Sequence, residues 1–68
     1  MINLYILQIT IKEHNSILVK PRLYFIGEEG SVIRHIEDLY SIKLDTNLYA
    51  KDKNIEYNLL VNTVTQVK

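Results

Sequence analysis

The chain has no cysteine and no tryptophan, and only one proline, two glycines and a single alanine among its 68 residues. Without cysteine, disulfides and thiolate zinc sites are both excluded. That absence matters in a chain this short: a domain of such a size buries only ~60% of its unfolded surface, and no covalent staple compensates here. Eight basic and eight acidic residues cancel to a formal net charge of zero, so the global polybasic signal of a nucleic-acid or membrane binder is missing too. The apolar start, Met1 to Ile11, is shorter than a secretory core with its flanks, has no preceding Lys or Arg, and contains Gln8 and Thr10. Neither a signal peptide nor a membrane span is expected, and the protein is expected to be intracellular, in the cytoplasm or in an organelle. No Pro/Gly/Ser-rich linker, low-complexity run or internal repeat divides the chain, which makes residues 1–68 one domain.

What is present is a globular composition, 47% apolar and 24% charged. Ile, Leu, Asn, Lys and Tyr dominate, a usage typical of low-GC phage, bacterial or organellar genomes. Residues 2–12 are rich in β-branched and aromatic types and read as a strand. The turn chemistry of Glu13-His14-Asn15-Ser16 separates them from a second strand, Ile17 to Ile26, within which Pro21 argues for an edge position or a bulge. After Gly27 the period changes: Val32, Ile33, Ile36, Leu39 and Tyr40 form the apolar stripe of a helix from about Glu28 to Ser41. Residues 45–51 and 54–62 read as two further strands, the last with Ile55, Tyr57, Leu59 and Val61 at a period of two. The expected fold is α+β, an antiparallel four-stranded sheet with one covering helix in the order β-β-α-β-β.

One helix of ~14 residues, about 21 Å long, leaves part of such a sheet bare. Val64 and Val67 are placed to start a second helix, but 63–68 is too short to cover much. A second copy of the chain or another protein is expected over the remaining apolar surface. Alternation within each strand assigns Val19, Leu23, Phe25, Leu48, Ile55, Tyr57, Leu59 and Val61 to the core, with apolar positions of the first strand. It leaves Gln8, Thr10, Lys12, Lys20, Arg22, Tyr24, Asn47, Tyr49, Lys51, Asn58 and Asn62 on the open face, with Glu56 as the lone acid. These are side-chain types that contact phosphates and base edges. The helix span Glu28 to Tyr40 holds four acids against Arg34, a net of −3, so the remainder is +3. A basic sheet backed by an acidic helix is one reading; a solvated polar face with lysines guarding against edge pairing is the other.

Catalytic chemistry is not expected. His14 in the turn and His35 on the polar side of the helix have no second ligand at metal spacing, and Ser31 and Ser41 have no His and carboxylate partners. Glu37-Asp38 reads as a solvated acid pair. No catalytic residue, metal or cofactor is therefore assigned.

Two family resemblances follow from the residues. Ile26-Gly27-Glu28-Glu29-Gly30, with Ile33, Ile36 and Ile42-Lys43-Leu44, resembles the Ile-Gly-x-x-Gly core of a KH domain, whose loop clamps single-stranded nucleic acid. Here the two loop positions are glutamates, and a strand precedes Ile26 where that family has a helix. Over nearly the whole chain, the segments 4–9, 19–26, 32–39, 47–51 and 55–61 in the order β-β-α-β-β resemble the saddle portion of a LAGLIDADG homing endonuclease. That resemblance implies a DNA-binding half-saddle; the family's signature helix and its metal-binding acid would precede the first strand, where Met1 stands here. On this basis duplex DNA is an expected partner, with Lys12, Lys20, Arg22 and Lys51 on phosphates and Gln8, Tyr24, Tyr49 and Asn58 near bases or sugars. A homodimer would supply the affinity that so few cations lack. The alternatives are a small protein-interaction module, such as a phage-type inhibitor or a subunit of a larger assembly, and a KH-like RNA binder.

Overall fold

A computed structural model describes residues 2–62, which form β1 (Ile2–Glu13), β2 (Ser16–Val19), β3 (Leu23–Glu28), α1 (Glu29–Tyr40), β4 (Tyr49–Asp52) and β5 (Ile55–Asn62). Val64 and Val67 lie outside the described residues. Among the described residues the class is α+β, with one antiparallel sheet and one helix. Central β1 pairs with β5 on one side, β4 adds beyond β5, and β2 and β3 run end to end along the other side of β1. Both hairpins close with two-residue loops, His14-Asn15 and Lys53-Asn54, whose first residues take positive φ of 50° and 57°. Short loops of this kind match the right-handed twist of the flanking strands.

The expected second strand is thus two strands, and Pro21 is the reason. Thr10 pairs with Val19, whereas Leu7 pairs with Leu23, so the β2–β3 side carries one residue more than β1 between these points. That extra residue is a bulge over Lys20-Pro21-Arg22, where proline has no N–H to give to the ladder. The bulge inverts parity: Val19 lies on the face away from the helix, while Leu23 and Phe25 keep the helix side. Val19 is therefore not core as its alternation with Leu23 implied. The expected strand from Asp45 also starts late, at Tyr49. Asp45 instead folds the chain into a tight loop, its carboxylate accepting the N–H groups of Asn47 (2.8 Å) and Tyr49 (3.1 Å). Asn47 accordingly sits in a turn and not on the sheet.

The helix forms because its apolar stripe has a sheet to cover. Val32 and Ile36 are buried against Tyr5, Leu7 and Ile9 of β1, Tyr57 and Leu59 of β5, Ala50 of β4 and Leu44. Phe25, Ile33, Tyr40, Ile42, Leu48 and Ile55 pack around them. Tyr40 and Tyr57 meet as tilted rings 5.5 Å apart, and burial pushes the Tyr57 hydroxyl above its ordinary pKa. Leu39, expected in the stripe, stays exposed, as does Val61 near the end of β5. Ser41 ends the helix in the left-handed region, and the Glu37 carboxylate accepts the Leu44 N–H at 2.9 Å. Glu37 thus pins the chain where it turns back into the core, a role the solvated-pair reading of Glu37-Asp38 did not contain.

The lengths of the elements decide what is left uncovered. Twelve helical residues span about 18 Å, whereas twelve strand residues span about 40 Å. The helix therefore shields one stretch of the inner face. All four residues of β2 are exposed, including Ile17, Leu18 and Val19.

Candidate functional site

The register places one set of side chains on the face opposite the helix: Ile2, Leu4, Ile6, Gln8, Thr10 and Lys12 from β1, and their cross-strand neighbours. Leu4 lies between Ile26 and Asn62, and Ile6 between Tyr24 and Leu60. Gln8 is opposite Asn58, which faces Tyr49; Thr10 is opposite Glu56, which faces Lys51. The face therefore divides along β1. Its N-terminal half is an apolar patch of Ile2, Leu4, Ile6, Tyr24, Ile26 and Leu60, and its C-terminal half is polar.

The exposure of the apolar half is the decisive quantity. Ile26 is 75% accessible, Ile2 and Tyr24 each 61%, and Leu60 47%. Contiguous apolar area of this kind is on the order of 400–500 Å², the size at which a patch on a monomer is often functional. Assigning the apolar positions of the first strand to the core as a group hides this patch, since Ile2, Leu4 and Ile6 share the face of Gln8, Thr10 and Lys12. Their even register, once β5 is seen to pair with Leu4 through Ile11, puts them outside.

Of the eight side chains expected at a nucleic-acid interface, five converge on the polar half: Gln8, Lys12, Tyr49, Lys51 and Asn58. Tyr24 belongs to the apolar half, and Lys20 and Arg22 flank Pro21 in the edge bulge. Charge on the polar half nearly cancels: Lys12 and Lys51 stand against Glu56, a net of +1, while Glu28, paired with Ile2, lies at the far end of the face. The remainder's +3 is thus not gathered on the sheet. Lys12 Nζ lies 2.7 Å from Glu56 Oε2. That hydrogen bond holds the Glu56 carboxyl below its ordinary pKa, with the Tyr49 hydroxyl and the Lys51 ammonium adding to the effect. Lys12 is raised in turn by Glu56, and Tyr49 is raised mainly by desolvation.

The sign of the linkage is fixed by these directions. The Glu56 contribution is fully present above the ordinary carboxylate range and is lost as pH falls through its lowered value; that of Lys12 persists until pH rises through its raised value. Lys12→Met is expected to move the Glu56 titration midpoint upward in a side-chain NMR titration. A midpoint that stays put would show that Lys12 does not set it.

His14 and His35 remain apart, His35 resting edge-on against Phe25 with ring centroids 5.9 Å apart. Among the described residues no three metal-ligating side chains gather, and no helix is long and apolar enough to cross a membrane. Set against protein-family models, curated proteins and solved structures, the chain matches none. Function must therefore be read from the face itself.

Proposed function

We propose that the chain is a small protein-interaction module, without catalytic activity, that docks a partner protein on the open face of its sheet. The observation that carries this reading is the apolar patch of Ile2, Leu4, Ile6, Tyr24, Ile26 and Leu60 beside a polar half in which two lysines stand against Glu56. An apolar centre with a polar rim is the anatomy of a protein interface, and Tyr24 is of the residue type that anchors one. Nucleic acid is the less favoured ligand: its affinity depends on neutralising phosphates, and of the two lysines in the polar half Lys12 is already paired with Glu56.

The two chemistries respond oppositely to two substitutions. Leu60→Lys places a charge at the β5 margin of the patch, next to Ile6, and Lys51→Glu reverses one in the polar half. Wild type and both variants are immobilised in parallel and challenged with cell extract and with a short DNA duplex at two salt concentrations. The expected result is a defined protein captured by wild type and by Lys51→Glu, with retention falling tenfold or more for Leu60→Lys, the loss of one buried leucine being worth about 10–100-fold. DNA binding that weakens with salt and is lost in Lys51→Glu, with no protein captured, would overturn the reading in favour of the duplex.

A further inference from the structure

The two edges of the sheet are built differently. One is β4, four residues long with Lys51 and Asp52 among them, the usual protection against strand addition. The other edge carries β3, where Leu23-Tyr24-Phe25-Ile26-Gly27 is a run without charge or proline. Among the described residues nothing pairs with its outer side.

The hydrogen-bond phase shows which backbone groups that edge presents. The Lys12 N–H reaches Asn54 on the β5 side, and the Lys20 N–H reaches Ile9 on the β2 side. In an antiparallel ladder these directions alternate, so even residues of β1 bond toward β5 and odd ones toward β2 and β3. Leu23, Phe25 and Gly27, opposite Leu7, Tyr5 and Asn3, are therefore turned inward. The N–H and C=O groups of Tyr24 and Ile26 point outward. Beside them, on the helix side, lies an open groove of about 410 Å³ lined by residues that include Phe25, Gly27, Ser31, Val32 and His35.

We infer that this edge pairs with the same edge of a second copy, β3 against β3 antiparallel about a twofold axis through Phe25, giving one continuous sheet across the dimer. Antiparallel strands are self-complementary under a twofold, and three features select this register. The outward-facing Tyr24 meets the partner's Ile26, as the ladder requires. Arg22 comes opposite the partner's Glu28, and by symmetry this pair forms twice. On the helix side Leu23, 39% exposed in the single chain, faces the partner's Gly27 at the edge of that groove. Moving the axis by one residue along the strand loses the Arg22 pairings. The inference adds to the proposed function by naming one partner, and it uses the backbone edge of β3 where that reading uses the outer side chains of the same strand. The dimer joins the two apolar patches at Tyr24 and Ile26, giving a docking surface twice the size.

The test is sedimentation velocity across concentration, with half-association expected at roughly tens of micromolar for an interface this small. Arg22→Glu and Glu28→Arg each set like charges opposite one another and are expected to weaken association about tenfold. The double swap is expected to restore it to within about threefold of wild type. Ile26→Pro removes an N–H that points outward, so it is expected to give a monomer that keeps its far-UV spectrum and cooperative melting. Leu60→Lys, expected to weaken partner docking, is expected to leave the dimer intact. A chain monomeric at every concentration, a double swap that fails to rescue, or a dimer lost in Leu60→Lys but kept in Ile26→Pro would each overturn the inference. The first of these leaves the docking reading standing, since its assay scores Leu60 and not the edge.

Discussion

Ile36→Ala is expected to remove about 2–5 kcal/mol of stability, because it opens a cavity at a fully buried position. Set against a total of roughly 3–10 kcal/mol for a chain of this length, that is enough to leave much of the population unfolded at room temperature. Ile36 is the only fully buried residue that the helix contributes, and it holds α1 over Tyr5 and Leu7. Urea unfolding followed by far-UV circular dichroism checks the value. Leu39→Ala, one turn away and exposed, should shift the midpoint little. If the two variants melt alike, the helix does not dock through Ile36.

Why Ile36 and not Leu39 is buried could not be decided from periodicity alone. Both satisfy the helical stripe, but Leu39 lies at its rim: Ile33 and Tyr40 on the other side of Ile36 take the contacts with the core. The same limit runs through the rest of the fold. Helix and strand types, the hairpin at His14-Asn15 and the final strand were legible because each depends on local pattern and turn chemistry. The split of the second strand was announced by Pro21, but a proline allows either an edge or a bulge, and this chain has both. Only the pairing of Leu7 with Leu23 reveals the one-residue offset, and that offset decides the face of Val19. The loop at Asp45 was illegible for a different reason: its geometry comes from one carboxylate accepting two backbone N–H groups, which leaves no periodic trace.

The surface was legible in its polar half and hidden in its apolar half. Gln8, Lys12, Tyr49, Lys51 and Asn58 come together as alternation requires. Isoleucine and leucine, however, are assigned to a core by default, and a strand that is apolar on both faces defeats that rule. β1 is such a strand, with Tyr5, Leu7 and Ile9 buried on one side and Ile2, Leu4 and Ile6 on the other. Strands of that kind are ordinarily covered on both faces. Among the described residues a single helix covers one, and this mismatch between β1 and the elements around it is what points to a partner.

Gly27→Val is expected to be the next most damaging change, costing about 1–3 kcal/mol by overpacking. The reason is space and not backbone conformation, for Gly27 has no positive φ. A Cβ built there would stand 3.2 Å from Val32 Cγ2, at the point where β3 passes into α1. Valine's methyl groups have to displace Val32 from the core, and with it the start of the helix. Gly27→Ala separates the two roles of this position. Its single methyl crowds Val32 by only a few tenths of an ångström, an effect offset by about 0.4–1 kcal/mol from the reduced freedom of the unfolded chain. The alanine variant should therefore melt close to wild type while adding a methyl at the edge of the groove, where the partner's Leu23 faces it. Weaker self-association at unchanged thermal stability is the expected pattern for Gly27→Ala, against loss of both for Gly27→Val. Equal stability losses in the two variants would mean that Val32 cannot yield at all, making the glycine a requirement of the strand-to-helix junction alone.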